Sequence, residues 1–239
     1  MRTIIFYLYF FFYVIFIFPF LPYASYLKKK GRHDKYSDLV ENIVRNWAKL
    51  LLWAAGAKVK VEGLENIPDR TAVFVSNHQS NFDIPLLLSS LDKPHGMLAK
   101  IEMKKIPGVA AWMKEFGCVF IDRDNPRESI KALNEAGEKL EEGISIIVFP
   151  EGTRSKCEKI GDFKSGAFKM AFKNNVPIVP VALNGTYKLF EANGNCVRPA
   201  SVSLKVFPSI ETAGMDKARQ KVLGDEIKEM IENYIKQEA

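Results

Sequence analysis

The chain has 239 residues, with 34 Lys and Arg against 28 Asp and Glu, a net charge of +6 and a pI near 9.1. That length suits one globular domain with an appendage, and the basic balance fits nucleic acid, an anionic lipid surface or an acidic cofactor about equally well. No helix-turn-helix, zinc or RNP-type pattern accompanies the charge, which disfavours nucleic acid; the three widely spaced cysteines argue against a disulfide framework or a zinc site.

Thr3–Leu27 carries no charged side chain, and Ile4–Phe18 is an unbroken apolar or aromatic run. Only Arg2 precedes it, and Tyr23-Ala24-Ser25-Tyr26 is a poor cleavage site, so an uncleaved membrane anchor is expected in place of a signal peptide. As a helix, Thr3–Phe18 would measure about 24 Å and the whole uncharged stretch about 37 Å, against a hydrocarbon core of ~30 Å. Pro19 and Pro22 break that helix near its end. Either a short span or a segment dipping into one leaflet is compatible. Lys28, Lys29, Lys30, Arg32 and Lys35 follow, either a solvated charged linker or, as the adjoining apolar run favours, a basic collar expected to contact lipid phosphates and keep this side in the cytoplasm.

Ser37–Ala55 has the spacing of an amphipathic helix, with Asp38 and Glu41 as a possible capping box and Gly56 to end it. Its apolar stripe serves domain core or, through Trp47 and Trp53, the membrane interface. Short apolar runs then predict strands at Val59–Val61, Ala72–Val75, Met97–Ala99, Cys118–Ile121, Ile144–Phe149, Ile178–Ala182 and Val202–Phe207. A helix between Ile121 and Ile144 is punctuated by Asn125 as cap, Pro126 in the first turn, Glu128 closing a capping box and Gly143 after the end. Further helices are predicted over Lys164–Lys173 and Asp216–Lys236. The alternation predicts an α/β domain over residues 58–239, with a largely parallel central sheet flanked by helices, after an anchor and amphipathic helix over 1–57.

Two polar clusters follow predicted strands, where ligands of such sheets bind. The first is Asn77-His78-Gln79-Ser80-Asn81-Phe82-Asp83 and the second, about seventy residues on, is Phe149-Pro150-Glu151-Gly152-Thr153-Arg154-Ser155. Residues five apart in a regular helix point about 140° away from each other, so His78 and Asp83 meet only if His78 lies in the turn before a helix. Ser80 is placed to cap such a helix from Asn81, and Pro85 is tolerated only in its first turn. Asp83 would then orient one imidazole nitrogen and leave the other as a base. No Gly-x-Ser-x-Gly elbow is present and Cys157 lacks a defined partner, so the substrate must supply the attacking hydroxyl. Arg154, on a turn that Gly152 loosens, suits bidentate capture of a phosphate. An ion pair between Glu151 and Arg154 that merely stiffens the turn explains the local sequence equally well.

Asn77-His78-x4-Asp83 followed by Phe149-Pro150-Glu151-Gly152-Thr153-Arg154-Ser155 strongly resembles the glycerolipid acyltransferase family, in particular its bacterial 1-acylglycerol-3-phosphate acyltransferases. The resemblance covers roughly residues 58–210. Lys100 with Pro107, Gly117 and Ile121-Asp122-Arg123 is similar to a second block of that family, and Val176-Pro177-Ile178-Val179-Pro180-Val181 to a fourth. Phe163-Lys164-Ser165-Gly166 matches the Phe-Lys-x-Gly that often follows the third. The resemblance implies transfer of an acyl group from coenzyme A or acyl carrier protein to the sn-2 hydroxyl of lysophosphatidic acid at the cytoplasmic face of a membrane. It implies His78 as base, Asp83 as its orienting partner, Lys100, Arg123, Arg154 and Lys164 as phosphate ligands, and Glu151, Gly152 and Thr153 as the shape of that pocket. No cofactor or metal is implied. Three rivals stand beside it: the same chemistry on another acceptor, a non-catalytic lipid-binding relative, and a metal-dependent phosphohydrolase. The last needs more ligands than one His–Asp pair, since His33 in the basic linker and His95 in a Lys-Pro-His-Gly turn are expected to face solvent.

Overall fold

Every apolar run expected to form a strand enters one twisted sheet. The computed structural model describes residues 2–91 and 95–238. The strands are β1 (Lys58–Glu62), β2 (Val73–Ser76), β3 (His95–Lys100), β4 (Val119–Ile121), β5 (Ser145–Val148), β6 (Ile178–Asn184) and β7 (Ser201–Val206), in the order β1-β7-β6-β2-β5-β3-β4. From β6 to β4 every pairing is parallel. β7 runs antiparallel to β6 and carries β1 parallel to itself at the edge. All four residues of β2 and of β5 are buried, as strands covered on both faces require.

Alternating side chains feed two cores. On one face Phe74, Ile147, Val179 and Leu183 pack against α3 (His33–Ala55) and α4 (Asp83–Ser90) through Ala48, Leu52, Leu86 and Leu87. On the other, Val73, Val75, Ile146 and Val148 meet α6 (Pro126–Glu141), α7 (Lys169–Asn174) and α8 (Lys217–Glu238) through Ala136, Leu140, Ala171, Ile227 and Ile231. Helix α5 (Pro107–Glu115), outside the predicted elements, opens with Pro107 in its first turn and joins the α3 side through Trp112.

The uncharged N-terminal stretch folds as α1 (Arg2–Ile17) and α2 (Phe20–Lys29), bent by 42° at the break that Pro19 imposes. No single helix among the described residues is long and apolar enough to cross a membrane, while this bent pair passes by length and composition together. α1 lies along α3: the Tyr13 hydroxyl donates to the Ile43 carbonyl at 2.8 Å, Phe10 meets Trp47, and Ile17 packs with Val40.

Several boundaries differ from expectation. α3 starts at His33, four residues before the expected Ser37, so the Asp38/Glu41 capping box lies inside the helix and is not formed as a cap. The Tyr36 hydroxyl donates to the Glu115 carboxylate at 2.7 Å and fixes that early turn. Gly56 ends the helix in the left-handed region, φ 74°, as its position suggested. Residues 165–168 form a 3-10 turn, so the helix expected from Lys164 starts only at Lys169. His95 does not face solvent: it opens β3, is buried, and meets the Phe116 ring edge-on. The two residues before it, Lys93 and Pro94, lie outside the described residues.

Asn125 caps α6 by accepting from the N–H groups of Arg127 and Glu128 at 3.1 and 3.3 Å, although the Glu128 carboxylate closes no box and instead pairs with Lys131. Asn125→Ala is expected to destabilise the fold by about 1 kcal/mol. Urea titration should show a lower midpoint with an unchanged slope.

Candidate active site

The chain leaves β2 at Ser76 and turns six residues before α4 begins. Asn77 pins this turn to β6: its amide donates to the Leu183 carbonyl at 2.9 Å and accepts from the Leu183 N–H at 2.8 Å, extending the parallel ladder with a side chain. Asp83 is the first residue of α4, two positions later than the helix start expected at Asn81, and Ser80 Oγ accepts from the Phe82 N–H at 3.1 Å. Pro85 falls in the first turn, where its missing N–H leaves no bond unmade.

Asp83 Oδ2 accepts from His78 Nδ1 at 2.7 Å, from the Gln79 N–H at 2.6 Å and from the Ser80 N–H at 2.8 Å. Its other oxygen accepts from the Thr186 hydroxyl. The carboxylate has no solvent exposure, whereas the His78 side chain keeps 13%. An ionised carboxylate only accepts, so the pairing with Asp83 selects the tautomer that carries its proton on Nδ1 and has Nε2 as the acceptor. The Phe149 ring stacks on the imidazole at a centroid distance of 4.0 Å and 16° between planes, holding the ring's tilt.

The second cluster is sewn to the first through backbone. His78 donates its N–H to Glu151 Oε1 at 2.6 Å, and its carbonyl accepts from the Ser155 N–H at 2.8 Å; the Lys156 N–H reaches the Gln79 carbonyl at 3.1 Å. Glu151 Oε2 accepts from the Gly161 N–H at 2.7 Å. Burial raises the Glu151 carboxyl above its usual range, and the two N–H groups offset part of that rise. Glu151 therefore fastens the turn from inside and makes no ion pair with Arg154, contrary to the stiffening pair that the sequence allowed.

Arg154 instead pairs with Glu191, Nη1 to Oε1 at 2.8 Å. An Arg123 nitrogen donates to the Gly152 carbonyl, and burial lowers the pKa of that guanidinium while nearby Glu102 opposes the shift. Gly152 has φ 74°, and a Cβ there would lie 3.1 Å from Lys164 Nζ. Three cations, Arg123, Arg154 and Lys164, thus converge on one turn, with Thr153 exposed at its tip. Lys100, also of the expected set and at the end of β3, has its ammonium 2.7 Å from Glu102, the carboxylate that also acts on Arg123, and among the described residues makes no hydrogen bond to the Gly152 turn. Thr186 and Glu191 were absent from that set. Thr186 follows Gly185 at the end of β6, so the strand-end rule pointed to it; Glu191 carries no local signal.

Next to the His78–Asp83 turn lies a cavity of about 350 Å³, within the range of small-molecule sites. Asn81, Phe82 and Phe190 contribute to its lining, together with Phe10, Trp47, Trp112 and Met113 from α1, α3 and α5.

The family model described as Acyltransferase matches residues 58–184, and the chain belongs to that family. It is 42% identical over 149 residues to the chloroplastic 1-acyl-sn-glycerol-3-phosphate acyltransferase LPAT1 of Arabidopsis thaliana, which covers 62% of this chain and 41% of that protein. To the 1-acyl-sn-glycerol-3-phosphate acyltransferase of Borreliella burgdorferi it is 33% identical over 190 residues, covering 79% of this chain and 76% of the other. The chain spans about half the length of several of the curated relatives it matches. The crystal structure of the 1-acyl-sn-glycerophosphate acyltransferase PlsC from Thermotoga maritima superposes with a TM-score of 0.79 at 31% identity, covering 99% of this chain and 97% of that one.

The cysteines differ sharply in exposure. Cys118 is buried and its thiol is pushed up to about 12 by desolvation, while Cys157 and Cys196 are exposed. In mildly alkaline buffer, iodoacetamide should label Cys157 and Cys196 and spare Cys118 until denaturant is added. Peptide mass spectrometry reads this directly, and early labelling of Cys118 contradicts its placement.

Proposed function

We propose that this chain transfers a fatty acyl group from an acyl thioester, carried by coenzyme A or acyl carrier protein, to the sn-2 hydroxyl of 1-acylglycerol-3-phosphate, giving phosphatidic acid. One arrangement carries this: an imidazole held by a buried carboxylate lies in a turn that is hydrogen-bonded to the cationic turn through Glu151 and Ser155, and whose Asn81 and Phe82 line an apolar cavity. The cationic turn suits a phosphate and the cavity an alkyl chain. The names of the relatives support the same acceptor.

In the proposed reaction His78 Nε2 takes the proton of the acceptor hydroxyl as its oxygen attacks the thioester carbonyl. Asp83 stabilises the imidazolium through the Nδ1 hydrogen bond, and the Phe149 face lies against the ring where that charge forms. Collapse of the tetrahedral intermediate breaks the C–S bond, and the departing thiolate recovers the proton from the imidazolium. General base action supplies about 10²–10⁴-fold, so holding both substrates in line supplies much of the remainder. Arg123, Arg154 and Lys164 are read as the phosphate-binding set, with Lys100 at its margin and Gly152 and Thr153 shaping the approach. The chemistry requires no metal or organic cofactor beyond the thioester donor.

We further read residues 1–57 as the unit that docks on the membrane and 58–239 as the catalytic unit, with docking at the cytoplasmic face. The outward face of α1 presents Ile4, Phe11, Phe12 and Phe16, each at least 60% exposed, an apolar surface far larger than a solvated helix leaves uncovered. Its inward face is committed to α3, which fits a helix lying in one leaflet better than a free span. The collar Lys28, Lys29, Lys30, Arg32 and Lys35 is exposed where α2 turns into α3, suited to anionic headgroups. The division is functional in character, because α3 supplies Ala48, Leu52 and Ala55 to the domain core.

His78→Ala is expected to lower kcat for lysophosphatidic acid by about 10²–10⁴-fold in a chain that still folds by circular dichroism, with a lowered melting temperature because Asp83 loses one donor; near-wild-type turnover would falsify the mechanism. F11D/F16D should release the protein from anionic vesicles in a flotation assay while leaving turnover on a short-chain, detergent-free acceptor within about twofold, since neither side chain lines the cavity. Retained flotation removes the α1 face from the membrane.

A further inference from the structure

Among the cations at the turn after β5, Arg154 is tied by a carboxylate from outside both sequence clusters. Glu191 lies in a 3-10 turn, Glu191–Asn193, after β6. Its side chain is only 3% exposed, against 31% for Arg154. Besides Arg154 it accepts from the Ser80 hydroxyl at 2.5 Å and from the Asn81 N–H at 3.0 Å, both in the His78–Asp83 turn. The backbone that carries it is itself fastened, since the Asn193 N–H donates to the Phe190 carbonyl at 3.0 Å and the Asn193 amide to the Lys188 carbonyl at 2.6 Å. A carboxylate with two fixed donors of its own is an anchor, and the longer, half-open arginine is what it holds.

We propose that Glu191 is a positioning residue that aims the Arg154 guanidinium at the acceptor phosphate and so sets the preference for a phosphate-bearing acceptor. This rests on the acyl-transfer reading above. Arginine has five donors in a rigid fork; Glu191 engages Nη1, and the side chain keeps 31% exposure, so donors remain for a ligand. Without that anchor the side chain, on a turn loosened by Gly152, loses its fixed direction. Glu191 also sits next to Phe190, which lines the cavity and packs on Phe82. One short segment thereby bears on both the phosphate end and the hydrocarbon end of the site. The opposite role is physically distinct: a carboxylate that competes with phosphate for Arg154 would weaken acceptor binding, and neutralising it would tighten it.

The test uses the purified full chain with acyl-CoA as donor and either lysophosphatidic acid or monoacylglycerol, the same acceptor without phosphate. E191Q is expected to raise the KM for lysophosphatidic acid by about tenfold, the scale of one charge-assisted hydrogen bond, with kcat and donor KM within about twofold. Preference over monoacylglycerol should shrink by the same factor, and E191Q/R154A should match R154A alone. Because Glu191 is buried, E191D is measured beside it: it keeps the charge, shortens the reach by one methylene, and should raise the acceptor KM by a smaller factor. An unchanged or lowered acceptor KM in both variants, or additive losses in the double variant, overturns the proposal. Calorimetric binding of a short-chain lysophosphatidic acid separates the two levels. If the wild-type protein binds it but transfers no acyl group, the acyl-transfer reading fails while weaker binding by E191Q still supports Glu191; equal binding by both proteins rejects Glu191 whatever the turnover.

Discussion

The Asp83 carboxylate is withdrawn completely from solvent at the first position of a helix, and the whole turn after β2 is arranged around satisfying it. A buried carboxylate without partners costs several kcal/mol, so each of its four donors has to be delivered by the fold. Two come from backbone N–H groups that only a tight turn can point at one oxygen. The helix N-terminus adds a favourable dipole. The imidazole is therefore the one partner in this set with an end left over for chemistry, and its orientation is a by-product of solvating a charge without water.

The same constraint joins segments far apart in sequence. Thr186 can reach Asp83 only because β6 lies beside β2, and Asn77 holds that neighbour in register through both groups of Leu183. Glu151 does the equivalent on the other side, where β5 borders β2. His78 thus stands over the middle strand of three, at the carboxyl ends where the loop N–H groups that bind Asp83 and Glu151 gather. Arg154 completes the ring by returning, through Glu191, to Ser80 and Asn81.

Much of this was legible beforehand because burial on both faces forces continuous apolar runs: Val73–Val75 and Ile146–Val148 have no other use. The condition that His78 and Asp83 meet across a pre-helical turn followed from helix geometry alone, and the capping of α6 followed from Asn125-Pro126. What was not legible depends on contacts distant in sequence. His95 sits in a polar-looking stretch, yet strand β3 begins there and carries it under α3. The antiparallel placement of β7 leaves only the alternation of Ser201, Ser203 and Lys205 with Val202, Leu204 and Val206 as a trace. Glu191 is one acidic residue among 28 acidic side chains, and nothing local distinguishes it from a solvated one.

Helix α1 has two occupied sides. Phe6, Phe10, Val14 and Ile17 form one wall of the cavity, and the opposite face is the exposed aromatic surface. Trimming the N-terminus to improve solubility would therefore remove one wall of the cavity together with the exposed aromatic surface. On the proposed reading, in which α1 docks on a bilayer, the same double duty would give an acyl chain a path from lipid to cavity along α1 without meeting bulk water.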